Sequence, residues 1–189
     1  MDRALFISDI HIGTKRSQVD KANDFIRHKE FGCIYLALKR KEFWNDKAND
    51  FLQEILRKAK AGTKIIYITG NHDEFLEGFW GNDLGGIKIE EEVLHTTKDG
   101  SIYVVIHGHQ FHTKFLHLVL LLKNWVKDKA KQLAKFRAGI ENNAICYAAS
   151  KKVRKENNIT YINTGDFVEG LTCVVERESG KLELVNLAD

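Results

Sequence analysis

Ala4-Leu5-Phe6-Ile7-Ser8-Asp9-Ile10-His11 is the stretch on which the reading of this 189-residue chain turns. A short apolar run closed by polar residues is the pattern of a buried strand in a parallel sheet, and its end hands Asp9 and His11 to the loop that follows. Ser17, with Asp20 three residues on, resembles a capping box opening a helix whose Val19, Ala22 and Ile26 share one face. Residues 33–38 read as a second buried strand. Residues 49–60 read as a helix with Phe51, Leu52, Ile55, Leu56 and Ala59 on one stripe, stopped at Gly62. Lys64–Ile68 reads as a third strand and runs directly into Gly70-Asn71-His72-Asp73.

Beyond this βαβ half, residues 92–97 and 101–107 alternate as strands joined by Lys98-Asp99-Gly100, a hairpin signal. Residues 115–142 read as a long basic helical stretch. The tail alternates over 160–163, 171–176 and 181–187, with turns at Thr164-Gly165-Asp166 and Ser179-Gly180. The expected architecture is α/β, a single domain over 1–189 with a basic helical insertion at 113–155.

Composition narrows the class. With 43% hydrophobic and 29% charged residues the chain is globular in character, which excludes disordered, collagen-like and coiled-coil classes. Its most apolar run, residues 115–122, contains His117 and falls short of the about 18 residues a membrane helix needs. Residues 1–8 have no small-residue cleavage site, so the expected location is the cytoplasm. Cys33, Cys146 and Cys173 have no CxxC spacing and read as reduced core residues. There is no proline, which leaves the turns to the 14 glycines and to Asn and Asp. Charge is uneven: residues 113–155 hold eleven basic and two acidic side chains, a net +9 in a chain whose total is +3.

Three clusters stand at the ends of expected strands: Asp9-x-His11, Gly70-Asn71-His72-Asp73, and His107-Gly108-His109 with His112 close behind. Open α/β sheets gather ligands outside the carboxyl ends of their strands, so the three can converge on one crevice. Carboxylate, imidazole and amide oxygen together suit Mn, Fe or Zn better than Ca. Taken singly each has an ordinary explanation: a turn with a surface His, an Asn-Asp-Gly loop, a hydrogen-bonded half-buried His.

In this order the motifs resemble those of the calcineurin-like metallophosphoesterases. The carriers are Ser8-Asp9-Ile10-His11-Ile12-Gly13, Tyr67-Ile68-Thr69-Gly70-Asn71-His72-Asp73-Glu74-Phe75-Leu76, Ile106-His107-Gly108-His109-Gln110-Phe111 and Tyr161-Ile162-Asn163-Thr164-Gly165-Asp166-Phe167-Val168-Glu169. With Leu38-Lys39-Arg40, Phe43-Trp44 and Asn49-Asp50, the pattern is similar to the UDP-2,3-diacylglucosamine pyrophosphatase branch. The resemblance implies a four-layer αββα sandwich and two divalent ions, commonly Mn. Asp9 and His11 would ligate one ion, Asn71 and His107 the other, while His72 would serve as acid or charge stabiliser near the leaving group and Asp73 would orient it. The implied reaction releases UMP from a nucleotide lipid in lipid A biosynthesis.

Two departures accompany the match. Where the family has a GDxxD segment whose first Asp bridges both metals, Leu36 here passes straight to Ala37. Where it has a late GHxH, Cys146 passes straight to Tyr147. His109, where the family usually has Asp, is then a candidate additional ligand. The basic stretch, with Phe115, Leu116, Leu118, Val119, Leu122, Trp125 and Val126 among its lysines, reads either as a solvated face or as an interfacial helix meeting anionic lipid and acyl chains on the inner face of a membrane. No nucleic-acid partner is expected, since aromatic and basic residues do not alternate as stacking platforms would require. The alternative from another class is a non-catalytic relative that binds a nucleotide, lipid or protein partner.

Overall fold

Burial on both faces of the first strand sets the layers. The computed structural model describes residues 1–14, 17–40, 45–71, 73–107, 142–146, 153–156, 159–164, 167 and 170–188. In β1 (Asp2–Ile12), Leu5 and Ile7 face one way and Ala4 and Phe6 the other, and all four are fully buried. A strand apolar on both faces must be covered on both.

One cover is helical. Helix α1 (Val19–Arg27) and helix α2 (Asp46–Lys60) place Val19, Ala22, Ile26, Ala48, Phe51 and Ile55 against Leu5 and Ile7, joined there by Ile34 and Leu36 of β2 (Phe31–Arg40) and Ile65 of β3 (Lys64–Ile68). Helix α2 starts where the Asn45 side chain accepts the Ala48 N–H at 3.0 Å, and the chain leaves it through Gly62 at φ 97°, a value glycine adopts without strain. The expected capping box does not form. Helix α1 begins at Val19, its N-cap is Gln18, and no side chain caps it. Ser17 therefore lies one position too early to reach the third helical amide.

The other cover is a second sheet. Among the described residues the first sheet runs β12-β11-β1-β2-β3-β5-β4, with β4 (Asp83–Leu84), β5 (Ile87–Glu90), β11 (Thr172–Glu176) and β12 (Leu182–Asn186). The second runs β6-β7-β8-β10-β9, with β6 (Glu92–Thr96), β7 (Ile102–Ile106), β8 (Asn142–Cys146), β9 (Val153–Glu156) and β10 (Ile159–Asn163). Ala4, Phe6, Tyr35, Ala37, Ile66, Ile68 and Val174 of the first sheet pack against Val105 and Ile162 of the second. This is the expected α/β sandwich. Its helical, sheet and sheet layers lie in the described residues. Within the insertion read as helical at 113–155, residues 142–146 and 153–155 are instead strand, held by pairing with β7 and β10, and residues 113–141 lie outside the described ones.

Polar residues cross this interface at the amino ends of the strands. The Tyr35 hydroxyl donates to His95 Nδ1 at 2.9 Å, and His95 Nε2–H donates to Glu176 Oε2 at 2.8 Å. Glu176 Oε1 accepts from Arg3 Nε at 2.8 Å and from the Lys98 N–H at 2.9 Å. Burial holds His95 below the usual histidine range despite Glu176, so the imidazole is neutral, as this donor-acceptor pattern requires.

Candidate functional site

Strands β1, β2 and β3 are mutually parallel, as are β7, β8 and β10. At one edge the two sheets are joined by a 2.7 Å hydrogen bond between Ser8 Oγ and Thr164 Oγ1, from the ends of β1 and β10. At the same edge the end of β3 meets the end of β7, as described below. The carboxyl ends of both parallel sets therefore share one rim, which carries Asp9, His11, Asn71, Asp73 and His107.

The end of β1 is shaped by a bulge. Ile7 pairs with Leu36 and Ile10 with Leu38, so Ser8 and Asp9 together stand opposite Ala37. Asp9 takes φ 51°, the left-handed region, which is uncommon for any residue but glycine and best tolerated by Asn and Asp. The extra residue inverts the alternation. Before it, odd-numbered Leu5 and Ile7 face the helices; after it, even-numbered Ile10 and Ile12 do. His11 is thereby turned to the side where the second sheet lies, and an uninterrupted strand would have put Ile10 there instead. Asp9 and His11 are both half-buried.

The end of β3 is shaped by a close approach. A Cβ on Gly70 would stand 2.6 Å from His107 Nε2 and 2.8 Å from two ring carbons, so the imidazole lies flat against a backbone that only glycine can present. Asp73 is buried at 4% exposure, and its Oδ2 accepts both the Gly70 N–H and the Tyr67 hydroxyl, each at 3.0 Å. The Asp73 N–H in turn donates to the Gly70 carbonyl at 3.0 Å. Trp80 Nε1–H donates to Thr69 Oγ1 at 3.1 Å. Asn71 itself is exposed, on the lip of a small cavity of about 100 Å³ bounded also by Asp73, Glu77, Trp80 and Glu91.

Of the expected site residues, Asn71, Asp73 and His107 are thus brought together, and Asp9 and His11 share their rim. Since β1 and β3 are separated by β2, the backbones of the two groups stand about 10 Å apart. His72 and His109 lie outside the described residues, as does His112. Among the described residues no three His, Cys, Asp or Glu side chains form a metal-holding group. The donors that are described fall into two pairs: a carboxylate with an imidazole, and an amide with an imidazole whose ring is braced by Gly70. Each pair suits a borderline divalent ion, and neither suits calcium.

The departures in sequence have a structural counterpart. Strand β2 continues unbroken through Leu36 and Ala37 to Arg40, with Ala37 buried between the sheets. Sequence reasoning placed Tyr67 in the motif but gave neither it nor Trp80 a role. Tyr67 alternates with Ile66 and Ile68 in an apolar strand and so passes for core, and Trp80 follows a 3-10 turn, Glu74–Phe79, whose pattern matches no regular period. Burial above all, with Asp73 beside it, raises the Tyr67 phenol far above its ordinary range, so it is a donor at any physiological pH. Burial pushes the Cys33 thiol up to about 11, which leaves it a poor nucleophile.

No protein-family model matches the chain, and no curated protein matches it in sequence. Solved structures match in fold. An archaeal phosphodiesterase aligns with TM-score 0.55 at 15% identity, covering 96% of this chain and 98% of its own. Vps29 of Chaetomium thermophilum gives 0.53 at 9% identity, covering 96% and 95%. The Thermotoga maritima protein TM1076 gives 0.53 at 13%, covering 98% of each. At these identities the likeness is one of fold.

Proposed function

We propose that the chain is a metal-dependent phosphoesterase working at the rim that joins the two sheets. The observation that carries this reading is the Ser8–Asp9 bulge. It spends backbone strain to turn His11 toward the second sheet, the side from which His107 reaches Gly70, and stored strain of this kind concentrates at functional sites. The fold shared with an archaeal phosphodiesterase supports it.

Asp9 with His11, and Asn71 with His107, would hold divalent metal, best Mn, with His109 a further ligand. When bound, the ions would polarise a phosphoryl oxygen and lower the pKa of an attacking water. The protein's own groups do the rest. His72, next to Asp73 in the loop, would give a proton to the departing oxygen. Asp73, with Oδ2 engaged by Tyr67 and Gly70, would orient His72 by holding the loop backbone. In its finer form the reading gives a nucleotide lipid, UDP-2,3-diacylglucosamine or a relative, as substrate and UMP as product. The basic, apolar sequence at 113–155 would meet the acyl chains and the inner face of the membrane. A cytoplasmic, membrane-peripheral enzyme of lipid A biosynthesis follows. Among the described residues no helix is long and apolar enough to cross a membrane.

A second reading, a non-catalytic binder of nucleotide, lipid or protein, is favoured by one observation: β2 runs through the position where a bridging carboxylate would stand. Hydrolysis decides between the two. With Mn, the protein is expected to cleave bis(p-nitrophenyl) phosphate and to release UMP from the lipid nucleotide. His72→Ala is expected to lose about 10²-fold or more in turnover while keeping its metal. Absence of hydrolysis with Mn, Zn and Fe alike, metal being bound, would establish the binder.

A further inference from the structure

We propose that Tyr67 is a positioning residue of this site, setting the Gly70–Asp73 loop so that His107 and Asn71 are held together. The inference rests on the phosphoesterase reading for its effect on turnover, but not for its geometry. Tyr67 lies in β3, one residue from its end, and its hydroxyl reaches past the turn to Asp73 Oδ2. That oxygen also takes the Gly70 N–H, so two donors converge on one acceptor while the Asp73 N–H closes the turn onto the Gly70 carbonyl. Gly70 is in turn the surface against which the His107 imidazole rests, nearer than any side-chain-bearing residue would permit. The phenol thus acts on His107 through Asp73 and Gly70.

Removing the hydroxyl leaves a buried carboxylate with one fewer donor, free to turn toward other partners and to release the Gly70 amide. The ring would still fill its place in the strand, so the loss falls on loop geometry more than on packing. On the other side of the loop Trp80 holds Thr69, not Asp73, and does not substitute for this bond.

The test compares Tyr67→Phe with Tyr35→Phe in the full chain. Each removes a tyrosine hydroxyl that bonds a side chain, Asp73 in the first and His95, at the opposite ends of the strands, in the second. Two readouts are taken: the histidine ring 15N–1H spectrum without metal, and calorimetric titration with Mn²⁺. Tyr67→Phe is expected to move the His107 ring signals and to weaken Mn²⁺ binding about tenfold, with kcat lowered more than KM is raised. Tyr35→Phe is expected to move the His95 signals and leave Mn²⁺ affinity unchanged. An unmoved His107 signal in Tyr67→Phe, or equal losses of affinity in both variants, overturns the proposal. If the unmodified protein binds no Mn²⁺ but Tyr67→Phe still shifts His107, the positioning role stands and the metal reading falls.

Discussion

Two histidines of one hairpin have opposite situations. His95, on β6, has both ring nitrogens engaged, Nδ1 by Tyr35 and Nε2 by Glu176, in a buried network that also takes in Arg3 and a backbone amide. His107, just past β7, is buried at the rim with its ring flat against Gly70 and the exposed Asn71 next to that glycine. The first is an enclosed set of bonds that ties the sheets together at the amino ends of the strands. The second stands where strain and close approach have been accepted. A buried polar network that satisfies its members specifies packing, whereas stored backbone strain concentrates at functional sites. The same residue type ties the two sheets together at one end of the sandwich and stands among the candidate site residues at the other.

The largest expected effect sharpens the structural side of this contrast. Glu176→Ala strands His95, the Lys98 amide and part of Arg3, and is expected to cost about 3 kcal/mol in urea denaturation. Arg3 is half-exposed, which keeps the loss at the lower end of what a broken buried pair costs. Mn²⁺ affinity should not move. Loss of metal binding in this variant would break the separation of the two ends.

Next is Gly70→Ala, which drives a Cβ into the His107 ring and is expected to destabilise by about 1–3 kcal/mol. Unlike Glu176→Ala, it should also weaken Mn²⁺ binding by about tenfold or more. Equal affinity before and after would show that the position of His107 is irrelevant to metal.

Acid titration follows. Folding holds the His95 pKa below its unfolded value of about 6.5. Below that value the unfolded chain binds the proton more readily than the folded one, so stability is complete above about pH 6.5 and is lost as pH falls toward the folded pKa. The loss is at most about 1.4 kcal/mol per pH unit. Urea midpoints across pH 8 to 5 should fall below 6.5, and His95→Gln should flatten that part of the profile. An unchanged profile in the variant would remove His95 from the account.

The smallest effect on stability is expected at Asp9. Asp9→Gly relieves a positive φ while loosening the unfolded chain, so folding stability should stay within about 1 kcal/mol of the original. Metal affinity should be lost. A large destabilisation would mean the bulge is held by the Asp9 side chain instead of serving it.

Much of the frame was legible because it is written in local patterns. The apolar runs of β1, β2 and β3, the stripe of α2 and the Lys98-Asp99-Gly100 hairpin each announce their period or turn. Strand β8, Asn142-Asn143-Ala144-Ile145-Cys146, and the charged β9, Val153-Arg154-Lys155-Glu156, were not legible, since their place in the sheet is set by neighbours and not by their own hydrophobicity. In the candidate site Asn71, Asp73 and His107 were legible from their position after strands, whereas Asp9 and His11, read as entering a loop, lie within β1 itself. The bulge was not: it is an extra residue in a pairing register, and a register exists only between two strands. His95 escaped notice for a related reason, its partners lying 60 and 81 residues away in the chain.

The central claim is that strand ends from both sheets make one metal-dependent site, and Mn²⁺ titration of Asp9→Ala, His107→Ala and the double variant tests it most directly. The account predicts saturable binding that either single substitution weakens by about tenfold or more, with the double variant losing less than the two losses combined. Saturable binding left intact by both substitutions, or losses that simply add as at unconnected positions, would contradict it.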